Sequence, residues 1–191
     1  MGYTTWFNGS FKFDRPVEDW LVEYINKFNK TRRMKRDNAK IKELFPNWEK
    51  LCLDGNLGEQ GEYFIGGLGY YGQDKDGSVL DNNGPASTQP GLWCQWVIEG
   101  NNDELMWDEG EKFYDYVEWL EYMIDNFFDP LGYVLNGDVT WDGEESDDTG
   151  VIHVENNVVD VEYGIHEYSM SAIDTDDMIK ELERRGYKVT A

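Results

Sequence analysis

Four cationic side chains within five residues form the one dense basic cluster of this chain, at Arg32, Arg33, Lys35 and Arg36. Arginine presents a planar fork of N–H donors that binds phosphate or carboxylate oxygens in pairs. The cluster could therefore hold an anionic ligand such as a nucleotide phosphate. It could equally neutralise the protein's own carboxylates, where each exposed pair contributes about 0–1 kcal/mol. The sequence leaves both interpretations open.

A small-ligand site would also use aromatic residues that could stack on a base. The candidates are Tyr70, Tyr71, Trp93 and Trp96. Aromatic faces stack on any nucleobase, so these side chains and the basic cluster together would make a nucleotide site. Such a site requires the cluster to converge with the glycine-rich segment 54–91. Within that segment residues 67–72 match G-x-G-x-x-G by spacing, but the polar residues that follow do not start the helix that a dinucleotide fold needs.

A predicted helix over Glu111–Phe128 carries the most regular charged surface. Its apolar side chains cover one side, and five carboxylates fall within about 120° on the other. These carboxylates are Glu111, Asp115, Glu118, Glu121 and Asp125. On one helix they would form a stripe about 21 Å long, with a spacing of ~4–5 Å that is close to the ~3.4 Å between phosphates of a DNA strand. The stripe is either a solvated face or a phosphate-like surface for a basic, DNA-binding partner.

No combination of residue types identifies a catalytic centre. The two histidines, His153 and His166, form no His-x-x-x-His pair, so a zinc site is not expected. The acidic segment 142–148 offers oxygen ligands for Mg²⁺ or Ca²⁺, but runs of this kind are usually solvated turns. We expect no cofactor and no bound metal. An enzyme with a divalent metal or a dispersed site remains the second alternative.

Charge is distributed unevenly along the 191 residues. Residues 1–50 carry a net charge of +4, and residues 51–191 carry −26. Charge this one-sided destabilises a compact chain through self-repulsion, and it is often tolerated because a partner recognises it. Phosphates would be repelled over most of the surface, so nucleic acid is not expected as a direct partner. A basic protein is the expected partner.

Composition predicts a folded, cytoplasmic protein. The chain is long enough to bury a core and is rich in aromatic residues, unlike disordered chains. It begins without the regions of a signal peptide and has no apolar run of about 18 residues, so no membrane association is expected. Cys52 and Cys94 lie outside any Cys-x-x-Cys motif and are expected as buried thiols in a reducing compartment. The oligomeric state stays open.

Hydrophobic periodicity predicts a single α+β domain over residues 1–191, with a mainly antiparallel sheet and helices on one face. Strands are expected at 3–13, 92–99, 104–107, 133–141, 151–155 and 158–163, with a tight turn at Asn156-Asn157. Two long amphipathic helices are expected, one opening at residues 14–16 and running through 28, the other over 111–128. A C-terminal helix is expected over 174–186. Segment 54–91 is expected to be irregular, with a short strand at 62–66.

Several short strings of the chain occur in a recognisable combination. They are Phe7-x-Gly9-x-Phe11, Thr31-Arg32-Arg33-Met34-Lys35-Arg36-Asp37, Gly69-x-x-Gly72-Gln73-Asp74, Gln89-Pro90-Gly91-Leu92-Trp93-Cys94-Gln95-Trp96, Glu111-Lys112-Phe113-Tyr114-x-Tyr116-x-Glu118-Trp119-Leu120 and Gly132-Tyr133-x-Leu135-Asn136-Gly137. Over roughly residues 3–163 the chain thereby resembles an uncharacterised family of tailed-phage and prophage proteins. The resemblance implies a phage-related accessory protein, with host takeover or counter-defence as its role. It implies no activity and no catalytic residue.

These observations lead to one expectation and two alternatives. We expect a non-enzymatic acidic binding protein of phage type that docks onto a basic host protein, as a counter-defence inhibitor or DNA mimic. The first alternative is a nucleotide-binding protein that uses the basic cluster at 32–36. The second is the divalent-metal-dependent enzyme.

Overall fold

The computed structural model describes residues 2–164, which form an α+β fold on a mainly antiparallel sheet. This part contains nine strands: β1 Thr5–Gly9, β2 Phe11–Phe13, β3 Lys35–Arg36, β4 Val79–Asp81, β5 Trp96–Glu99, β6 Glu104–Trp107, β7 Leu135–Gly143, β8 Thr149–Glu155 and β9 Val158–Tyr163. Its α-helices are α1 Asp19–Asn29, α2 Asn38–Leu44 and α3 Tyr116–Met123, and α3 continues as a π-helix over Ile124–Phe128. The predicted fold class is confirmed.

Seven strands form the main sheet in the order β5–β6–β2–β7–β8–β9, with β1 also paired to β7. Both β1 and β2 pair with β7, and only Ser10 separates them. The strand expected at 3–13 is therefore present with one interruption. Gly9 permits this interruption, since its φ is +111° and a Cβ there would lie 2.7 Å from the carbonyl oxygen of Asp138. The two remaining strands, β3 and β4, pair separately.

The core lies between one face of the main sheet and the helices α1 and α3. Its largest buried side chains are mostly aromatic and include Trp96, Trp119, Trp141, Phe11 and Phe28. Aromatic rings meet edge to face, as Phe11 and Trp96 do at 5.6 Å between centroids. Each buried large apolar side chain contributes about 1.5–3 kcal/mol to folding. The core therefore holds both helices on the same face of the sheet, as the sequence predicts.

Helix α1 buries the stripe that its periodicity predicts, at Leu21, Tyr24, Ile25 and Phe28. The helix begins only at Asp19, because the backbone before it is still extended. Trp20, which belongs to the predicted apolar stripe, is instead 45% exposed.

One polar residue of α1 also protects the edge of the sheet. The side chain of Asn26 donates to the carbonyl oxygen of Ile98 and accepts from its N–H, both at 3.1 Å. These two bonds replace those of a neighbouring strand, so part of the β5 edge is closed by a helix.

The second long helix is shorter than predicted. It begins at Tyr116 instead of Glu111, because Lys112 and Asp115 have left-handed φ angles of 62° and 53° that a right-handed helix excludes. Residues 111–115 therefore form an irregular segment, whose Phe113 side chain is buried in the core. The predicted helix over 111–128 is wrong in its first part.

The glycine-rich segment 54–91 is irregular, as predicted. It contains two 3₁₀ turns, Glu59–Gly61 and Tyr70–Gly72, and the short strand β4. The strand expected at 62–66 is wrong, since that stretch is turn and coil. It follows that the segment depends on other parts of the chain for its position.

Other boundaries differ by a few residues. The first strand after the glycine-rich segment begins at Trp96 instead of residue 92, whereas the hairpin partner at 104–107 is confirmed. The turn between β8 and β9 is confirmed as well, with φ angles of 51° and 67° at Asn156 and Asn157. The helix expected over 174–186 lies outside the described residues.

Helix α2 is an element that the sequence reading missed. Asp37 caps it by accepting hydrogen bonds from the N–H groups of Ala39 and Lys40. The helix covers a small second core around Ile41, Cys52 and Phe64. Among residues 2–164, no helix combines the length and the apolar character needed to cross a bilayer.

Candidate binding surface

Arg33 is buried at the junction of α1 and the glycine-rich segment. Its Nη2 donates to the carbonyl oxygens of Glu62 and Phe64 at 2.6 and 2.9 Å, and its guanidinium lies 3.9 Å from the centroid of the Phe28 ring. Burial lowers the pKa of Arg33 to about 10, so the side chain is still charged at neutral pH. Arg33 therefore holds the protein's own backbone.

Arg36 is also buried, and it forms the ion pair with the lowest exposure among residues 2–164. Its Nη1 donates to Asp76 Oδ2 and to Ser78 Oγ, each at 2.7 Å. Burial raises the pKa of Asp76, but hydrogen bonds from Arg36 and Ser78 outweigh this and leave the pKa below its ordinary value. Arg36 therefore makes an internal contact with the glycine-rich segment.

The other two cations of the basic cluster are half-buried. Arg32 donates through Nε and Nη2 to the carbonyl oxygen of Asn82, at 3.2 and 2.9 Å. Backbone bonds run beside these contacts, from the N–H of Arg32 to Tyr71 and from that of Lys35 to Gly84. The cluster does converge with the glycine-rich segment, as a ligand site requires, but its donors clamp the segment. One of its three arginines meets a carboxylate, and the other two meet backbone carbonyls.

The four aromatic residues of the small-ligand interpretation do not come together. Trp96 is buried in the core, where its Nε1 donates to the carbonyl oxygen of Tyr116 at 2.9 Å. Tyr70 and Tyr71 are exposed and pack on each other with 4.1 Å between ring centroids. Tyr71 also meets Trp93 at 6.3 Å. Only Tyr71 and Trp93 therefore share a concave surface.

All five carboxylates of the predicted stripe are exposed. Glu118, Glu121 and Asp125 lie on α3 and the π-helix, whereas Glu111 and Asp115 lie on the irregular segment before it. The helical part of the stripe covers eight residues, from Glu118 to Asp125, and the seven steps between its ends make about 10 Å at 1.5 Å per residue. The regular spacing that would resemble a phosphate backbone is therefore limited to this part.

Two cavities meet at Trp93, Gln95 and Glu111, and we name them together the Trp93 cleft. The first, the Tyr71 cavity, has a volume of about 290 Å³ and is lined also by Tyr71 and Asp108. The second, the Gly91 cavity, has a volume of about 480 Å³, and its other lining residues include Gly91, Tyr114 and Asp115. The cleft thus brings two carboxylates of the predicted stripe next to two aromatic residues of the small-ligand interpretation.

Several residues in or beside the Trp93 cleft have a strained backbone. Tyr71, Glu109, Lys112 and Asp115 all have positive φ, between 53° and 63°. Left-handed conformations of residues other than glycine and asparagine cost free energy, and they cluster at binding and catalytic sites. The sequence carries no signal for them, because none of the four is the glycine that usually marks such a position.

Asp115 is the carboxylate of the stripe with the most perturbed environment. Its pKa is raised, first by partial burial and then by the negative charge of Glu118. Within residues 2–164 the one ion pair of the stripe joins Glu111 to Lys112, so the Asp115 carboxylate has no cationic partner. A cation or hydrogen-bond donor that entered the cleft would relieve both effects.

The open face of the main sheet is a second acidic surface. Asp138, His153 and Asp160 lie opposite one another on β7, β8 and β9. His153 Nδ1 is 2.7 Å from Asp138 Oδ1, and this hydrogen bond is the main reason that the pKa of His153 is raised. The sequence reading missed this surface, although the alternation of polar and apolar residues along the three strands is its signal.

The acidic segment 142–148 is held by hydrogen bonds at its end. Asp148 accepts from Tyr3 Oη at 2.6 Å and from Trp141 Nε1 at 3.0 Å. In the part of the chain that the structure describes, no group of three or more His, Cys, Asp or Glu residues is arranged to hold a metal ion. Asp148 therefore fixes the end of β7 to the N-terminal segment.

The chain matches no known protein family, no curated protein and no solved structure.

Proposed function

We propose that this protein is a non-enzymatic binding protein that docks a carboxylate-rich surface onto a basic partner protein. The observation that carries the proposal is the exposure of all five carboxylates between Glu111 and Asp125. Within the described part of the chain, the only ion pair that any of them makes is the 3.9 Å contact of Glu111 with Lys112. Exposed carboxylates that lack counter-charges repel one another, and a cationic surface relieves that repulsion.

Several basic side chains are buried or paired within the molecule, which increases the excess of negative charge at its surface. Residues 2–164 contain 33 acidic and 13 basic side chains, and Arg33 and Arg36 are buried among the basic ones. Lys12, Lys27 and Lys40 are held by neighbouring carboxylates. Few cations remain to offset the acidic surface, so its field favours encounter with a basic protein.

The resemblance to tailed-phage proteins extends the proposal to a host protein as the partner. Counter-defence inhibition or DNA mimicry would then be the role. The helical part of the stripe, Glu118, Glu121 and Asp125, would meet arginine and lysine side chains that otherwise contact phosphates. The nucleotide-binding alternative receives less support, because Arg33 and Arg36 already bind the chain itself.

The proposal is tested with a triple charge reversal, Glu118→Lys, Glu121→Lys and Asp125→Lys. Binding is measured by fluorescence anisotropy with a labelled nona-arginine peptide as the basic probe. We expect the dissociation constant to rise at least about tenfold, or about 1.4 kcal/mol, because the local counter-charges are lost. The thermal midpoint should stay unchanged or rise, since self-repulsion falls.

A second triple variant, Glu99→Lys, Glu155→Lys and Asp160→Lys, provides the matched control. It changes the net charge equally, and its three residues are exposed on the sheet side of the molecule. We expect a change of less than about threefold, as for a distant charge screened by salt. Equal weakening by both variants would mean that only net charge matters, and the proposed surface would be wrong. Unfolding of the first variant alone would also contradict it.

A further inference from the structure

The two long helices leave one edge of the main sheet uncovered. Helix α1 lies over the β5 edge, where Asn26 binds the backbone of Ile98. Helix α3 lies beside α1, since the Trp119 ring packs on that of Phe28 with 6.0 Å between centroids. The third α-helix of the described residues, α2, covers the small second core instead. The β9 edge is at the far side of the sheet from α1, which leaves a place for a further helix beside α3.

The uncovered surface is apolar. It consists of Val159, Val161 and Tyr163, and we name it the β9 shelf. Side chains alternate along a strand, so all three lie on the core side of the sheet, like Ile152, which pairs with Val161. The two valines are only half-buried, and Tyr163 is 72% exposed. Because the Tyr163 ring is 5.7 Å from that of Trp141, the shelf continues the aromatic core.

The near flank of α3 forms the wall of the shelf. Trp119 and Tyr122 both pack on Phe28 of α1. At 100° per residue, Val117 lies about 140–160° away from them around the helix, so it faces away from α1 and towards β8 and β9. Its side chain is half-buried against the core. The shelf is thus a groove between one helix flank and an edge strand.

The chain itself supplies an apolar stripe at this place. It leaves β9 after Tyr163, directly beside the shelf, and continues over residues 165–191. The helix that the sequence predicts over 174–186 carries three apolar side chains within about 100° of its circumference, Met178, Ile179 and Leu182. Residues 165–173 can span up to about 30 Å when extended, whereas β9 is only about 20 Å long. The predicted helix can therefore reach the whole shelf.

Charge favours the same segment as the occupant. Of the six basic residues after position 50, four lie near the C-terminus, at Lys180, Arg184, Arg185 and Lys188. The rest of the molecule is strongly acidic, so it attracts this part of the chain. A second copy of the chain would instead bring its own net charge of −22 and would be repelled. The open face of β8 and β9 is acidic too, but its Asp138, His153 and Asp160 side chains offer no apolar surface.

We propose that segment 174–186 packs as a helix on the β9 shelf, beside α3, with Met178, Ile179 and Leu182 against the three side chains of the shelf. The main sheet then carries three helices on one face, and its apolar surface at β9 is withdrawn from water. This inference goes beyond the docking function, since it needs no partner protein.

Disulfide cross-linking in the full chain tests the proposal. One variant combines Val161→Cys with Leu182→Cys, and its matched control combines Asp160→Cys with Leu182→Cys. Residues 160 and 161 are neighbours on opposite faces of β9, so a segment without a fixed position closes both loops equally well. We expect the disulfide of the Val161 variant to form at least about tenfold faster, because two cysteines bridge only when their Cα atoms are within about 7 Å. Mass spectrometry of proteolytic peptides measures this, and it distinguishes the bridge from any with Cys52 or Cys94, which are buried.

Three outcomes would overturn the proposal. Equal rates in the two variants mean that the segment does not pack on the shelf, and a faster reaction of the Asp160 variant places it on the open face. A disulfide between two chains assigns the shelf to a second copy.

A second measurement leaves both β9 and the apolar stripe unchanged. A nitroxide spin label on Lys180→Cys, on the polar side of the predicted helix, broadens the NMR signals of amides near it. We expect strong broadening at Val159 and Val161 and little at Val97 on β5, which lies five strand spacings, or about 24 Å, across the sheet. Equal broadening at both strands, or none at β9, contradicts the proposal.

Discussion

At the scale of single residues, the arginines of the basic cluster show how one residue type serves different purposes. Arg33 and Arg36 are buried, and each donates hydrogen bonds to the glycine-rich segment. Arg32 reaches the same segment at the surface, through the carbonyl oxygen of Asn82. The three side chains act as internal clamps, which explains why a long irregular segment has a defined position.

Replacement of these arginines should therefore give unequal losses of stability. Arg33→Met leaves the buried carbonyl group of Phe64 unpaired, whereas that of Glu62 keeps its bond from Gln89. The free energy of unfolding should fall by about 1–3 kcal/mol. Arg32→Met removes a half-exposed contact and should cost less than about 1 kcal/mol. Urea denaturation monitored by tryptophan fluorescence measures both. Equal losses in the two variants would contradict the different roles assigned to them.

At the scale of secondary structure, the position where α3 begins decides the shape of the acidic surface. Lys112 and Asp115 are left-handed, so Glu111 and Asp115 leave the helical stripe and enter the Trp93 cleft. The five carboxylates therefore belong to two surfaces, one on the helix and one on the wall of a cavity. Only the second combines carboxylates with aromatic rings.

Glycine substitutions test this helix boundary. Lys112→Gly should leave the free energy of unfolding unchanged or raise it by up to about 1 kcal/mol, because glycine adopts a left-handed φ without strain. Glu121→Gly, inside α3, should lower it by about 1 kcal/mol. Thermal and urea denaturation give both values. A loss of about 1 kcal/mol in Lys112→Gly would place residue 112 within a helix, as the periodicity alone predicts.

At the scale of the whole molecule, the fold stays compact against its own charge. The net charge is −22, and the open sheet face, α3 and the Trp93 cleft all carry carboxylates. The aromatic core on the other face of the sheet opposes this repulsion. Repulsion among the exposed carboxylates therefore lowers the free energy of unfolding.

Salt should therefore stabilise the protein. A rise from about 0.05 to about 0.5 M NaCl shortens the Debye length and screens the repulsion, so the free energy of unfolding should rise by on the order of 1 kcal/mol. The triple variant of Glu118, Glu121 and Asp125 should gain less from the same salt, since it carries fewer carboxylates. Thermal melts at several salt concentrations measure this. A midpoint that falls with salt would mean that attractive ion pairs dominate.

Local patterns in the sequence determined much of the fold. The apolar stripe of α1, the hairpin of β5 and β6 and the Asn156-Asn157 turn each depend on neighbouring residues, so periodicity and turn chemistry predict them. The exposure of the five carboxylates follows in the same way, because they alternate with core residues. The charge distribution predicted an acidic surface, but it could not show that Arg33 and Arg36 are buried.

Only the tertiary structure decided the site. Trp93 and Asp115 line one cavity because the irregular segments 83–95 and 111–115 pack together, and no local pattern encodes such a contact. The sequence also gives no sign that Lys112 and Asp115 are left-handed. Local helix propensity does not oppose a helix there, whereas Phe113 is packed in the core. Long-range packing overrides local preference at these positions. The sequence by itself therefore determines an acidic α+β protein, and its tertiary packing determines which acidic and aromatic residues form a cavity.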